Sequence, residues 1–181
     1  MTGISENDKE SKDNKDIEAR EELQETPEQS RSRVRAVKIL GSRQLSSREM
    51  EKRLVRKGES EETAQETVKW LENIGAVNDG EYAAAIVRHY STKGYGIARI
   101  KTELHRRGIN REMWDDALVS LEGIETDEVT YQFLDKRLRG SNDKTDLRRA
   151  VEALCRRGFS YEDARTAVSR YLESLANTDE N

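Results

Sequence analysis

The sequence predicts an all-α protein: three tandem three-helix repeats forming an elongated, curved body, preceded by a disordered N-terminal tail. Three observations predict it. Apolar residues recur at intervals of three and four, as in Met50 and Leu54, in Ala64, Val68, Leu71 and Ile74, in Ile97, Ile100 and Leu104, and in Leu147, Val151 and Leu154, and no comparable run alternates with period two. Glycines fall where these periods stop or restart, as residues that end helices in the left-handed conformation do. The pattern leucine-x-basic-basic-glycine occurs as Leu54-Val55-Arg56-Lys57-Gly58, Leu104-His105-Arg106-Arg107-Gly108 and Leu154-Cys155-Arg156-Arg157-Gly158, at a constant interval of 50 residues.

The elements follow in order. Residues 1–30 hold ten acidic side chains against four basic ones and contain the only proline, Pro27, which predicts a disordered acidic tail. The tail carries net charge -6, and since the whole chain carries -4 the remainder is slightly positive at +2. It reads as a solubilising extension, or as a competitor with DNA for the basic side chains of the body.

Residues 31–77 form the first repeat, with Val34, Val37 and Leu40 on the inner face of its first helix and Ser46 with Glu49 as a capping box for the second. Residues 78–125 form the second. There Asn78 and Asn110 serve as helix caps, Ala83, Ile86, Val87 and Tyr90 form the first helix face, and Lys93-Gly94-Tyr95-Gly96-Ile97 forms a turn. Residues 126–176 form the third repeat, with Phe133, Leu134 and Leu138 inward, Asp143 capping, and Ser160 with Asp163 as a second capping box. Residues 177–181 are predicted as a disordered C-terminus. The flanks repeat in kind: Met50, Ile100 and Ala150 lie one turn before the leucine, and Val68, Leu118 and Val168, then Leu71, Leu121 and Tyr171, lie after the glycine. Each such unit is too small to be very stable alone, so neighbours stack into a long surface instead of enclosing a pocket.

Composition narrows the functional classes. In 181 residues, 38% charged and 34% hydrophobic side chains allow thin cores between amphipathic helices and exclude a large two-core enzyme. No apolar run reaches the roughly 18 residues of a membrane span, and the polar N-terminus lacks the apolar stretch of a secretory signal, so a cytoplasmic location is expected. Cys155 has no partner for an internal disulfide, and His89 and His105 lack neighbours at metal-ligand spacing. No nucleophile elbow or H-E-x-x-H motif occurs, and the carboxylates read as exposed helical ion pairs, which points to no enzyme, no cofactor, no metal and no small-molecule substrate. Trp70 and Trp114 read as packing residues.

The pairs Arg56-Lys57, Arg106-Arg107 and Arg156-Arg157 have two compatible readings. Cations in a last helical turn complement the macrodipole, at roughly 0.3 to 1 kcal/mol each. A tandem display of them, with Arg99, Lys101, Arg111, Arg148 and Arg149 nearby, also makes a basic stripe able to follow a phosphate backbone or an acidic filament. Tyr95 between Lys93 and Arg99 is either part of a turn or an exposed ring that stacks on a base or anchors in a partner.

The residues also resemble a known family, the RecX regulatory proteins of bacterial recombination. The matching run comprises Ala36-Val37-Lys38-Ile39-Leu40, Arg43, Ser46, Glu49, Leu54, Lys57 and Gly58, Trp70-Leu71, Gly75-Ala76-Val77-Asn78-Asp79, Glu81-Tyr82-Ala83, Arg88, Gly94-Tyr95-Gly96, Arg99-Ile100, Leu104 and Gly108-Ile109. It spans about residues 33–172, and Gly75 to Ile109 is its most specific part. Asn78 stands where the family often has Asp. The resemblance implies tandem three-helix repeats, with Leu54, Gly58, Asp79, Tyr82, Ala83, Gly94, Leu104, Gly108, Leu154 and Gly158 as structural positions. It also implies a monomer that binds the RecA-DNA filament and inhibits its extension, ATPase, strand exchange and coprotease activities, within DNA repair, recombination and the SOS response. The rival expectation is a stand-alone non-specific DNA-binding helical protein that holds single- or double-stranded DNA.

Overall fold

The computed structural model of the protein describes residues 25–119, 121 and 127–178. Among them are nine α-helices and no strand: α1 (Pro27–Leu40), α2 (Ser47–Arg56), α3 (Glu61–Asn73), α4 (Asp79–Ser91), α5 (Ile97–Arg106), α6 (Trp114–Val119), α7 (Asp127–Leu138), α8 (Lys144–Arg156) and α9 (Tyr161–Thr178), with a 3-10 turn at Arg111–Met113 before α6. The all-α expectation holds. Most of the predicted acidic tail lies outside the described residues, but α1 begins inside the segment assigned to it. Thr26 and Gln29 explain the early start, because Thr26 Oγ1 accepts from Gln29 N at 3.2 Å while Gln29 Oε1 accepts from Thr26 N at 2.9 Å, and Pro27 presets the first turn. At the other end α9 runs to Thr178, beyond residue 176, and residues 179–181 lie outside the described residues.

The helices gather into three triplets, each with its own apolar core. Met50, Leu54, Ala64 and Leu71 centre the first, Ala83, Val87, Ile100 and Leu104 the second, and Leu134, Ala150, Leu154 and Ala164 the third. Leu54, Leu104 and Leu154 are almost fully buried, which is worth on the order of 2 kcal/mol for each side chain. All three middle helices end in the same Schellman turn. The amide after the glycine bonds the leucine carbonyl (Glu59 N to Leu54 O 3.2 Å, Ile109 N to Leu104 O 3.1 Å, Phe159 N to Leu154 O 3.2 Å), and the glycine amide bonds the carbonyl of residue 55, 105 or 155 at 2.9 Å. The spacing from leucine to glycine is therefore the geometry of one helix end: the core anchor lies three residues before the cap, and the left-handed glycine lies just past it.

Several expectations need correction. Val34 and Val37 are 55% and 52% exposed; α1 instead buries Ser32 and Ala36, a small-residue face that lets it lie close to α3, where Thr67 Oγ1 donates to Ser32 Oγ at 2.8 Å. Ile74 and Ile97 sit at helix ends beyond the reach of their cores and are exposed. Left-handed backbone occurs at Gly58, Gly75, Gly94, Gly108, Gly140 and Gly158, but Gly41 is right-handed, Gly80 lies in the first turn of α4 and Gly96 is an extended N-cap; Gly123 lies outside the described residues. Asn110 makes no capping bond, since its amide donates to Glu112 Oε2 at 3.3 Å. The capping box at Ser46 is only half formed, because Glu49 turns to Arg43. Asn78, Asp143 and Ser160 do cap their helices, accepting from Glu81 N, Thr145 N and Asp163 N.

Candidate partner-binding surface

The helix ends that carry the basic pairs are also where neighbouring triplets meet. The middle helices α5 and α8 each direct their C-terminal turn at the N-terminus of the middle helix before them, so negative and positive dipole ends are apposed. At the first junction the Arg107 carbonyl accepts from Ser46 Oγ at 2.5 Å, and the Asp79 carboxylate accepts from Ser47 N at 2.8 Å and Ser47 Oγ at 2.6 Å, so a residue of α4 closes the open first turn of α2. The Tyr82 hydroxyl accepts from Arg107 Nη1 at 2.8 Å and Arg43 Nη1 at 3.3 Å, and Arg43 also forks onto Glu49 at 2.9 and 3.0 Å. Arg107 Nε is buried without a partner.

At the second junction the backbones touch directly. The Arg157 carbonyl accepts from Gly96 N at 3.0 Å and the Gly158 carbonyl from Ala98 N at 3.1 Å. Arg157 donates through Nε to Gly94 O at 2.9 Å and through Nη2 to Lys93 O at 2.6 Å, with its guanidinium 4.5 Å from the Phe133 ring centroid and 4.8 Å from that of Tyr95. No Cβ fits at Gly96, where one would overlap the Gly158 carbonyl and Phe159 N, or at Gly158, where one would come within 2.5 Å of Arg99 N.

The structure therefore divides the predicted contact residues. Arg107 and Arg157 are half-buried and occupied within the junctions, and Tyr95 is half-buried beneath Arg157, with Arg99 6.0 Å from its ring and Tyr90 packed at 5.5 Å. The expectation of an exposed, free Tyr95 ring is corrected accordingly. Arg56, Lys57, Lys93, Arg99, Arg106 and Arg156 are exposed, and Lys101 is partly so. Asp79, Tyr82, Gly94, Gly108 and Gly158, expected as structural positions, all sit at the junctions, while Leu54, Ala83, Leu104 and Leu154 lie in the cores. Gly58 differs from the other two repeat glycines in that nothing lies within 4 Å of a Cβ built on it.

One carboxylate departs from the expected exposed pattern. Glu103 is 3% exposed and accepts from Arg106 Nη2 at 2.7 Å and Nε at 2.8 Å, with Arg99 at 3.5 Å. Burial opposes its charge, but the Arg106 hydrogen bond and charge, aided by Tyr90 and Arg99, outweigh that and hold its carboxyl below the ordinary glutamate range. Glu49 is held low in the same way, by Arg43 against desolvation.

Sequence reasoning missed a cluster on α2. Arg48, Lys52, Arg53 and Arg56 line a cleft of about 320 Å3 shared with His105 and Arg106 from the end of α5. The signal was available, since positions 48, 52 and 56 recur one per helical turn. A larger cleft of about 720 Å3 lies at the second junction, with Tyr95, Gly96, Ile100, Phe159 and Ala167 on its walls. Among the described residues no helix is long and apolar enough to cross a membrane, and no three His, Cys, Asp or Glu side chains gather as metal ligands do.

Helix triplets joined end to end, with cations displayed at their seams, define a helical tandem-repeat protein. Family models described as the first and second three-helix domains of RecX match residues 33–71 and 78–118. Because the chain is also 34% identical over 142 residues, 77% of its length, to the regulatory protein RecX of Xanthomonas axonopodis pv. citri (strain 306), covering 86% of that protein, it belongs to the RecX family. The regulatory protein RecX of Stenotrophomonas maltophilia (strain R551-3) is 31% identical over 136 residues, 74% of this chain and 83% of that one. A crystal structure of RecX from Lactobacillus salivarius shares the fold with a TM-score of 0.71 at 24% identity, covering 82% of this chain and 97% of that one. A second crystal structure, of a regulatory protein RecX, does so with a TM-score of 0.67 at 21% identity, covering 81% and 72%.

Proposed function

We propose that this chain is a negative regulator of the RecA recombinase, one that binds the RecA-DNA filament and restrains its extension, ATP hydrolysis, strand exchange and coprotease activity. The observation that carries the reading is membership of a family of regulatory proteins across most of the chain. The architecture supports it. A linear series of helix triplets, proposed to divide at about residues 77 and 125, presents contacts to several protomers at once, and such multivalent engagement gives avidity without a deep pocket. The exposed cations Arg56, Lys57, Lys93, Arg99, Lys101, Arg106 and Arg156 are the proposed contact residues, whereas Arg107 and Arg157 contribute by fixing the angle between triplets. The proposed setting is the cytoplasm, in DNA repair, recombination and the SOS response, with the protein acting as a monomer.

The test is RecA ATP hydrolysis on single-stranded DNA with increasing amounts of this protein. Inhibition well below one copy per recombinase protomer is the expected result. No inhibition, together with tight binding to bare DNA, would replace this reading with that of a stand-alone DNA-binding protein.

A further inference from the structure

The cleft between α2 and the end of α5 has an unusual charge inventory. Arg48, Lys52 and Arg56 project from one face of α2 at successive turns, about 6 Å apart along the axis, with Arg53 beside them. Among the described residues none of these four cations forms an ion pair. The only carboxylate lining the cleft, Glu49, is already held in a two-pronged bond by Arg43, and across the cleft Arg106 is neutralised by the buried Glu103. The result is a concave strip of four cations, of which only Arg53 has a charge interaction with Glu49, with His105 on its far wall. Leaving like charges this close is unfavourable for folding, since Glu49, shared with Arg43 and Arg107, offsets only part of the repulsion. The cost is recovered when a polyanion occupies the strip.

We infer that this strip, centred on Arg48, Lys52, Arg53 and Arg56, is a binding surface for the phosphate backbone of a nucleic acid. Three features favour a phosphate backbone over an acidic protein. The cations form an evenly stepped line, as suits a polymer of evenly spaced charges. The lining contains no Trp, Tyr, Phe or aliphatic side chain of the sort that anchors protein interfaces. Three of the four are arginines, whose planar fork matches phosphate oxygens. With cations dominating the lining and no Trp, Tyr or Phe in it, contact is to the backbone and largely indifferent to base sequence. The inference rests on the filament reading in that the contacted nucleic acid is then the strand within the filament, although it concerns bare DNA equally.

The experiment measures binding of the full chain to fluorescein-labelled oligo(dT) across a salt series, for the wild type and for Arg48→Gln/Lys52→Gln/Arg56→Gln. Glutamine keeps the aliphatic stems, including the part of Arg48 that packs beside Gly108. A control of equal charge change, Lys38→Gln/Lys136→Gln/Lys144→Gln, removes exposed cations elsewhere. The expected result is that the strip variant loses about tenfold or more in affinity at low salt and that its log-log salt slope becomes shallower by about 2, while the control keeps the wild-type slope. Circular dichroism verifies that all three proteins are equally helical. Equal losses in strip and control variants would overturn the inference in favour of diffuse charge. An unchanged DNA slope with loss of RecA ATPase inhibition would overturn it in favour of an acidic protein face. If the wild type fails to inhibit RecA yet the strip variant alone loses DNA binding, the strip stands and the filament reading falls.

Discussion

The two junctions between triplets are built at the same repeat positions but from different chemistry. Position 46 is serine and position 96, fifty residues later, is glycine. Ser46 holds the second triplet off by the length of a hydroxyl, and the first junction is completed by side chains from Asp79, Tyr82, Arg43 and Arg107. Gly96 has no side chain to interpose, so the Arg157 and Gly158 carbonyls reach the first-turn amides of α5 directly. One Cβ thus separates a polar, side-chain-mediated seam from a backbone-to-backbone one. Side-chain hydrogen bonds can be lost one at a time by substitution, while a close backbone contact tolerates little displacement. The first seam is held through side chains, and the second by direct contact of backbones.

This contrast can be broken most severely at Gly158. Gly158→Ala adds a Cβ in hard contact with the Arg99 backbone at a φ of +94°, and is expected to cost about 3 kcal/mol. Gly58→Ala, at a nearly identical φ of +95° with open space around it, should cost only about 1 kcal/mol. Urea unfolding of the two variants separates contact from conformation, and equal losses would mean that the second seam is not closed as described. Next in size is Arg157→Ala, which leaves the Lys93 and Gly94 carbonyls unpaired and empties the space between Tyr95 and Phe133. About 2 kcal/mol is expected, and Arg157→Lys should recover little of it because an ammonium cannot fork.

At the first seam, Asp79→Ala uncaps α2 and should cost about 1 kcal/mol. Its signature is local: amide exchange at Ser47 should accelerate while that at Ala98 stays as in the wild type. The smallest effect concerns pH. Because Glu49 titrates below its ordinary value of 4.5 in the folded protein, its contribution is fully present above that value and is lost as the pH falls through the folded one. Acid should therefore loosen the first seam before the second, which has no carboxylate among its described hydrogen bonds. Glu49→Gln should narrow that difference when amide exchange at Ser47 and Ala98 is compared across the acid range, the Asp79 carboxylate on Ser47 accounting for what remains.

Much of the fold was legible because local rules and the repeat agree. The leucine-to-glycine spacing encodes a Schellman turn three times over, and any reader of helix ends can find it. The inner face of α1 was not legible, because periodicity marks Val34 and Val37 as core while Thr67, on another helix, decides that Ser32 and Ala36 go inside. The candidate site was legible in kind but not in membership. Arg106 and Arg107 are neighbours in sequence with opposite fates, one at a cleft and the other locked to Tyr82, because a 100° step around α5 turns one toward solvent and the next toward the seam. The α2 cations, by contrast, recur at helical spacing and were hidden only by the prominence of the basic pairs.

One small feature distinguishes the first triplet from the other two. In the second and third triplets the carbonyl before the repeat glycine is taken by the preceding triplet, but at Lys57 it accepts from Arg35 Nη1 at 3.2 Å, and Arg35 is itself held by Glu59. Arg35 instead satisfies from within the first triplet the carbonyl that a preceding triplet satisfies in the other two. The same carbonyl is thus satisfied three times over, twice across a seam and once within a triplet by a guanidinium.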